Sequence, residues 1–180
     1  MTNILYKIIK IIYVGRISKE KGLDIIINAL ANLKNEINFK LFIYGQGPEE
    51  NNIQKMINKL KIKDKINFCG YESNKKKIFK GANLFLNASK FEGLSSALVQ
   101  SINFNVFPIC SDAPGGNIEV IKNGKLGWSF KLDDIKDLEE KILNFVVKKP
   151  LMNKKLKNSH LKNFTEEASF RKYLKLFNRL

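Results

Sequence analysis

The sequence predicts an α/β fold: a parallel sheet of about six strands with helices on both faces, followed by C-terminal helices. Three observations carry this expectation. Short apolar runs alternate with longer amphipathic stretches along nearly the whole chain. The strand candidates are mostly continuous apolar runs, the pattern of strands buried on both faces. Glycine directly follows the first three runs, at Gly15, Gly45 and Gly70, where a chain leaving a strand must turn.

Ile8 to Val14 reads as the first strand. Lys21 to Leu33 carries Leu23, Ile26, Ile27, Leu30 and Leu33 at helical spacing. Phe39 to Tyr44 is the second strand, ended by Gly45-Gln46-Gly47-Pro48. Glu49 to Leu60 is a helix with two acids in its first turn, which suit the helix dipole. Lys65 to Cys69 is the third strand and Asn74 to Lys80 a short basic helix. Ala82 to Asn87, Val106 to Cys110 and Gly127 to Phe130 complete the strands. Between them lie helices at Ser95 to Asn103 and Asn117 to Ile121. Ile135 to Lys148 is amphipathic until Pro150 breaks it, and helical stretches follow at about Asn153 to His160 and Thr165 to Asn178. The result is one Rossmann-like domain over residues 1–180, with ligands expected beyond the carboxyl ends of the strands.

Composition narrows the function classes. The chain has 180 residues and a formal net charge of +15, with 44% hydrophobic residues, enough for a sizeable core. No apolar run approaches the roughly 18–20 residues that span a bilayer. Met1 to Tyr13 is apolar-rich, but Lys7 and Lys10 interrupt it and no cleavage site follows, so no secretory signal is expected. Lys, Asn and Ile (29, 21 and 22 residues) make up much of the chain, and AT-rich coding favours all three. The basic balance therefore has a coding explanation beside its physical consequence, attraction of anions. Cys69 and Cys110 are too few for a disulfide framework and are expected as two reduced, buried thiols of a cytosolic protein. His160, the sole histidine, is expected on a solvated helix face, which leaves little material for a Ser-His-Asp triad or a His-rich metal site.

The residues after the strands carry the chemistry. Gly15-Arg16 and Lys21-Gly22 put a guanidinium fork and a point charge near a helix start, a pattern suited to phosphate oxygens or to an ordinary charged turn. It is neither a GxGxxG nor a Walker A loop. Gly45-Gln46-Gly47-Pro48 serves as a turn or a ligand contact, and Gly70-Tyr71 places a glycine where a flat ring can approach. Glu92-Gly93-Leu94-Ser95 opens a helix whose free N–H groups form an anion site, with Ser95 also a good N-cap. Asp112-Ala113-Pro114-Gly115-Gly116-Asn117 is a glycine-rich turn.

Together these segments, with Asn123-Gly124-Lys125-Leu126-Gly127, resemble in order and spacing the C-terminal, nucleotide-sugar-binding half of retaining glycosyltransferases of the GT-B fold, family GT4. The resemblance implies a metal-independent enzyme without a cofactor, whose donor is a nucleoside diphosphate sugar, with UDP the nucleotide it favours. It assigns Arg16 and Lys21 to the donor diphosphate and Glu92 to the sugar hydroxyls, as the catalytic set. Gly15, Gly45, Gly47, Gly70, Tyr71, Gly93, Leu94, Ser95 and Gln100 complete the donor site, Tyr71 near the base. Gln100 stands where the family carries a second acid, which accepts from both ribose hydroxyls. An amide offers one oxygen and an NH₂, so one bond is reorganised and donor affinity falls about tenfold. The resemblance also implies that the N-terminal acceptor-binding half is absent from these residues and is supplied by another domain or chain. Thr165 to Leu180 resembles the C-terminal helix that packs back on that half. A cytoplasmic location is expected, with peripheral contact at the anionic inner face of the membrane.

The alternative is a non-catalytic basic Rossmann-like module, or a decayed fragment, binding nucleic acid or a partner protein. Lys75-Lys76-Lys77 and the basic C-terminal third favour it. The lack of a nucleic-acid-binding motif and of interleaved aromatics argues against it.

Overall fold

A computed structural model describes residues 8–178. Six parallel strands form one sheet: β1 (Ile9–Val14), β2 (Phe39–Tyr44), β3 (Ile66–Gly70), β4 (Leu84–Asn87), β5 (Phe107–Ser111) and β6 (Trp128–Phe130). Their spatial order is β3-β2-β1-β4-β5-β6. The helices are α1 (Leu23–Asn32), α2 (Glu50–Lys59), α3 (Lys75–Phe79), α4 (Ser96–Asn103), α5 (Asn117–Val120), α6 (Ile135–Lys148), α7 (Lys154–Leu161) and α8 (Glu166–Phe177). Every expected element is present, and the Rossmann-like layer is as the sequence predicts.

Successive strand residues point to opposite faces, so one strand feeds two cores. Ile11 and Tyr13 of β1 pack with α1, α2 and α6, whereas Ile12 packs with α4, α5 and residues of α7. The first core holds Phe39, Leu41, Leu30 and Ile142, and the second Phe85, Leu98, Ile102 and Val120. Aromatic contacts add to each core: Phe79 of α3 stacks on Phe104 at the end of α4, and Phe107 of β5 meets Trp128 of β6 edge-on.

Strand β3 departs from the expectation. As the edge strand it alternates between half-buried and exposed residues. Cys69 is therefore exposed, not buried, while Cys110 in β5 is buried as expected. A lone strand reading cannot tell an edge from a centre, because its neighbours are set by the whole sheet.

His160 is a second correction. It is 9% exposed, and its Nε2 lies 2.9 Å from the Glu119 carbonyl and 3.2 Å from that of Val120. The ring joins α7 to the end of α5 and meets Phe164 edge-on. Lys157, one turn earlier, is also buried; its ammonium donates to the Asn103 carbonyl and to Asn105 Oδ1. Those acceptors sit at the C-terminal end of α4, the partially negative end of a helix. The polar residues of α7 thus dock it, where the sequence pattern suggested a solvated face.

Helix α8 keeps an apolar face without a partner among the described residues: Phe170, Tyr173, Leu174 and Phe177 are exposed at helical spacing. Residues 1–7, the first part of the apolar N-terminal run, and residues 179–180 lie outside the described residues.

Candidate functional site

The strand order reverses between β1 and β4, and a crevice opens there at their carboxyl ends. It encloses about 280 Å³ and is lined by Gly15, Arg16, Lys21, Ser89, Glu92, Leu94 and Ser95, with Ser96 and Ala97 of α4. Residues from two loops and one helix start therefore converge on one space.

Arg16 follows β1 in a turn that is held from below. The buried Tyr13 hydroxyl donates to the Arg16 carbonyl at 2.7 Å. Burial, then the carboxylates of Glu92 and Glu20, push the Tyr13 pKa well above its ordinary value, so the hydroxyl keeps the proton it donates. The turn continues into a short 3₁₀ segment, Lys19–Lys21, closed by Gly22 at φ 62°. A Cβ at Gly22 would stand 2.1 Å from the Ala88 carbonyl oxygen, so only glycine allows Lys21 to sit against the loop after β4.

Lys21 Nζ is 2.6 Å from Glu92 Oε1. The Ser89 hydroxyl donates to the same oxygen at 3.0 Å. Glu92 is also fixed through its backbone: its N–H donates to the Pro114 carbonyl, and Gly116 N–H donates to the Glu92 carbonyl. The loops after β4 and β5 thus form a short parallel bridge, Glu92 to Gly115. Behind it, Asn87 Nδ2 donates to Ser95 Oγ, which accepts from Leu98 N–H and caps α4. The cap leaves the Ser96 and Ala97 N–H groups, without intrahelical acceptors, at the crevice wall. The site joins a positive helix end, a guanidinium and an ammonium to one carboxylate. Such a set binds an anion on one side and hydroxyl donors on the other.

The remaining expected site residues separate into groups. Gly45 and Gly47 hold the loop after β2 against the loop after β1: a Cβ at Gly45 would lie 1.8 Å from the Gly15 carbonyl oxygen, and one at Gly47 2.2 Å from that of Ile17. Neither lines the crevice, so their requirement for glycine comes from backbone packing. Gly70 ends the edge strand with its carbonyl accepting from Gly45 N–H, and Tyr71 beyond it is 79% exposed. Gly93 has open space where a Cβ would stand. Gln100 is half-buried in α4, four residues after Ser96 and hence on the same helix face, outside the crevice lining.

Ser89, Asn87 and Ser111 were not singled out from the sequence. Ser111 Oγ donates to the Ser89 carbonyl at 2.6 Å, and Ser89 N–H donates to Asn87 Oδ1. The available signal was a polar residue at the end of an otherwise apolar buried strand, as in Leu84–Asn87 and Phe107–Ser111.

With this geometry in hand, comparisons with known proteins point one way. A family model described as "Glycosyl transferases group 1" matches residues 4–162. The chain is 30% identical over 124 residues to the N-acetylgalactosamine-N,N'-diacetylbacillosaminyl-diphospho-undecaprenol 4-alpha-N-acetylgalactosaminyltransferase of Campylobacter jejuni, covering 69% of this chain and 33% of that one. It is 24% identical over 166 residues to the N-acetyl-alpha-D-glucosaminyl L-malate synthase of Bacillus anthracis, covering 91% and 43%. Among solved structures, the apo lipopolysaccharide outer core galactosyltransferase WaaB superposes with a TM-score of 0.85 at 20% identity, over 97% of this chain and 50% of that one. The pneumococcal O-GlcNAc transferase GtfA, in complex with UDP and GlcNAc, gives 0.79 at 22% identity, over 94% and 35%. The fold is thus that of one Rossmann-like half of a GT-B glycosyltransferase. The chain spans about a third of the length of the curated relatives it matches.

Proposed function

The chain belongs to the group 1 glycosyl transferases, and we propose that it is the nucleotide-sugar-binding half of a retaining, metal-independent enzyme of glycan or glycolipid synthesis. The observation that carries the proposal is the convergence of Arg16, Lys21, the α4 N-terminus and Glu92 on one crevice.

In this reading the donor diphosphate lies against Arg16, Lys21 and the Ser96 and Ala97 N–H groups. As the bond from the anomeric carbon to the diphosphate breaks, negative charge grows on the leaving oxygen. Fixed cations and N–H dipoles at that place stabilise the charge without rearranging during the reaction. Glu92 accepts hydrogen bonds from the sugar hydroxyls and thereby orients the anomeric carbon. Tyr71, exposed beyond Gly70, offers its ring to the base. UDP is the proposed nucleotide, supported by the nucleotide in the GtfA complex.

The acceptor-binding half is proposed to lie outside these 180 residues. Coverage of half of WaaB supports this, as does the exposed aromatic face of α8, which offers it a docking surface. A lipid-linked acceptor at an anionic bilayer is proposed from the diphospho-undecaprenol substrate in the name of the Campylobacter relative and from the net charge of +15. No helix among the described residues is long and apolar enough to cross a membrane.

Calorimetric titration with UDP tests the site. Binding is expected to weaken about tenfold or more in Arg16→Ala and in Lys21→Ala, the loss of one charge-assisted contact each. Unchanged affinity in both variants would remove the assignment. Steeply salt-dependent binding to DNA or RNA without UDP binding would favour the basic-module alternative.

A further inference from the structure

We propose that Ser89 is a positioning residue for the sugar: it holds the Glu92 carboxylate in place when the donor diphosphate draws Lys21 away. The inference rests on the donor-site reading above and deepens it.

Glu92 Oε1 carries two donors, Lys21 Nζ at 2.6 Å and Ser89 Oγ at 3.0 Å. No hydrogen bond among the described residues reaches Oε2. One oxygen is therefore committed to the protein and the other is available to a hydroxyl donor. The two anchors differ in kind. Lys21 lines the crevice beside Arg16, and a diphosphate placed there competes for its ammonium with two formal negative charges. Were Lys21 the only anchor, filling the phosphate subsite would release the carboxylate at the moment it must orient the sugar.

Ser89 is neutral, so a diphosphate exerts no comparable pull on it. It is also immobilised: it is 2% exposed, its N–H donates to Asn87 Oδ1 and its carbonyl accepts from Ser111 Oγ. Both backbone groups of Ser89 are thus engaged elsewhere in the frame, and its hydroxyl donates to Glu92. The same Asn87 reaches the α4 cap through Ser95, so the carboxylate and the helix end that faces the phosphates share one buried frame. A side chain that only filled space here would need no hydroxyl.

The test is calorimetry on the full 180-residue chain with UDP and with UDP-glucose, UDP-galactose, UDP-GlcNAc and UDP-GalNAc. Wild type is expected to bind one UDP-sugar more tightly than UDP, and the ratio of the two dissociation constants is the readout. Ser89→Ala should leave UDP affinity within about twofold and weaken the preferred UDP-sugar about five- to tenfold, the loss of one hydrogen bond to a charged group. Ser89→Thr, which restores a hydroxyl, should recover most of the ratio. Lys21→Ala should weaken both ligands together and keep the ratio, whereas Lys21→Ala with Ser89→Ala should abolish it. An unchanged ratio in Ser89→Ala overturns the proposal, as does a parallel loss of both ligands with a fallen Tm, which marks a packing role. UDP binding with no preference for any UDP-sugar also overturns it. Absence of UDP binding by wild type overturns the donor-site reading itself, and the role of Ser89 with it.

Discussion

Lys21 and Glu92, 71 residues apart in sequence, meet at 2.6 Å across the crevice between the first and fourth strands. Both side chains are largely shielded, at 26% and 16% exposure, so the pair is partly desolvated and stronger than a surface ion pair. Lys21→Ala leaves Glu92 with the Ser89 hydroxyl as its side-chain donor. Stability should fall by about 1–2 kcal/mol, read as a drop of roughly 2–8 °C in Tm by calorimetry. A variant as stable as wild type would show that the pair exists for ligand binding alone.

Gly115 is the least replaceable glycine of the site. Its φ is 128°, and a Cβ there would stand 1.5 Å from the Glu92 carbonyl oxygen. Gly115→Ala must break the bridge that holds Glu92 against the loop after β5. A loss of at least about 2 kcal/mol in urea unfolding is expected, together with loss of the preference for a UDP-sugar over UDP. Retention of both would mean that the two loops are not coupled.

Gln100 occupies the α4 face one turn beyond Ser96. Gln100→Glu exchanges an amide for a carboxylate that accepts through both oxygens, and UDP affinity should rise about tenfold. Equal or weaker binding in the variant would place the ribose elsewhere.

The two thiols should separate cleanly. Cys110 is buried, and burial pushes its pKa up to about 12, whereas Cys69 lies exposed on the edge strand. Partial burial of the Cys69 sulfur also raises its pKa, so its reaction should be slower than that of a free thiol at neutral pH and accelerate as pH rises. A disulfide reagent should titrate one thiol in the native chain and the second only after unfolding. Two fast equivalents would contradict the burial of β5.

Asp137 sets an acid limit. Burial acts to raise its pKa, but the Lys131 N–H, 2.7 Å away, and the Lys141 ammonium, 2.9 Å away, outweigh burial and hold it below the ordinary value. A lowered native pKa means the ionised form stabilises the fold above the ordinary carboxylate range, and that the gain is lost as pH falls through the native value. Asp137→Asn should therefore melt below wild type at about pH 7, and the gap should close as pH falls below the ordinary carboxylate range. A gap independent of pH would assign the effect to packing.

Much of this protein is set locally, and the sequence shows it. Apolar periodicity determines which segments become strands and helices, since burial of a continuous run or a stripe depends only on spacing. Glycines after strands and the Ser95 cap are equally local, because turn geometry and an orphan N–H group are satisfied within a few residues. Arg16, Lys21 and Glu92 are legible as phosphate- and hydroxyl-binding types, and their order along the chain carries the family.

Tertiary structure decided what depends on neighbours distant in sequence. The sheet order made β3 an edge and exposed Cys69; no property of Lys65 to Cys69 alone distinguishes that from a central place. His160 and Lys157 look like solvated helix residues until carbonyls at the ends of α5 and α4 meet them. Gly45 and Gly47 proved to be spaces for the carbonyls of Gly15 and Ile17, a requirement set by another loop. The sharing of one Glu92 oxygen by Lys21 and Ser89 arises only when the chain folds the loops after β1 and β4 together. Hydrogen bonds and ion pairs act over a few ångströms, so their partners are set by the folded distance and not by the distance along the chain.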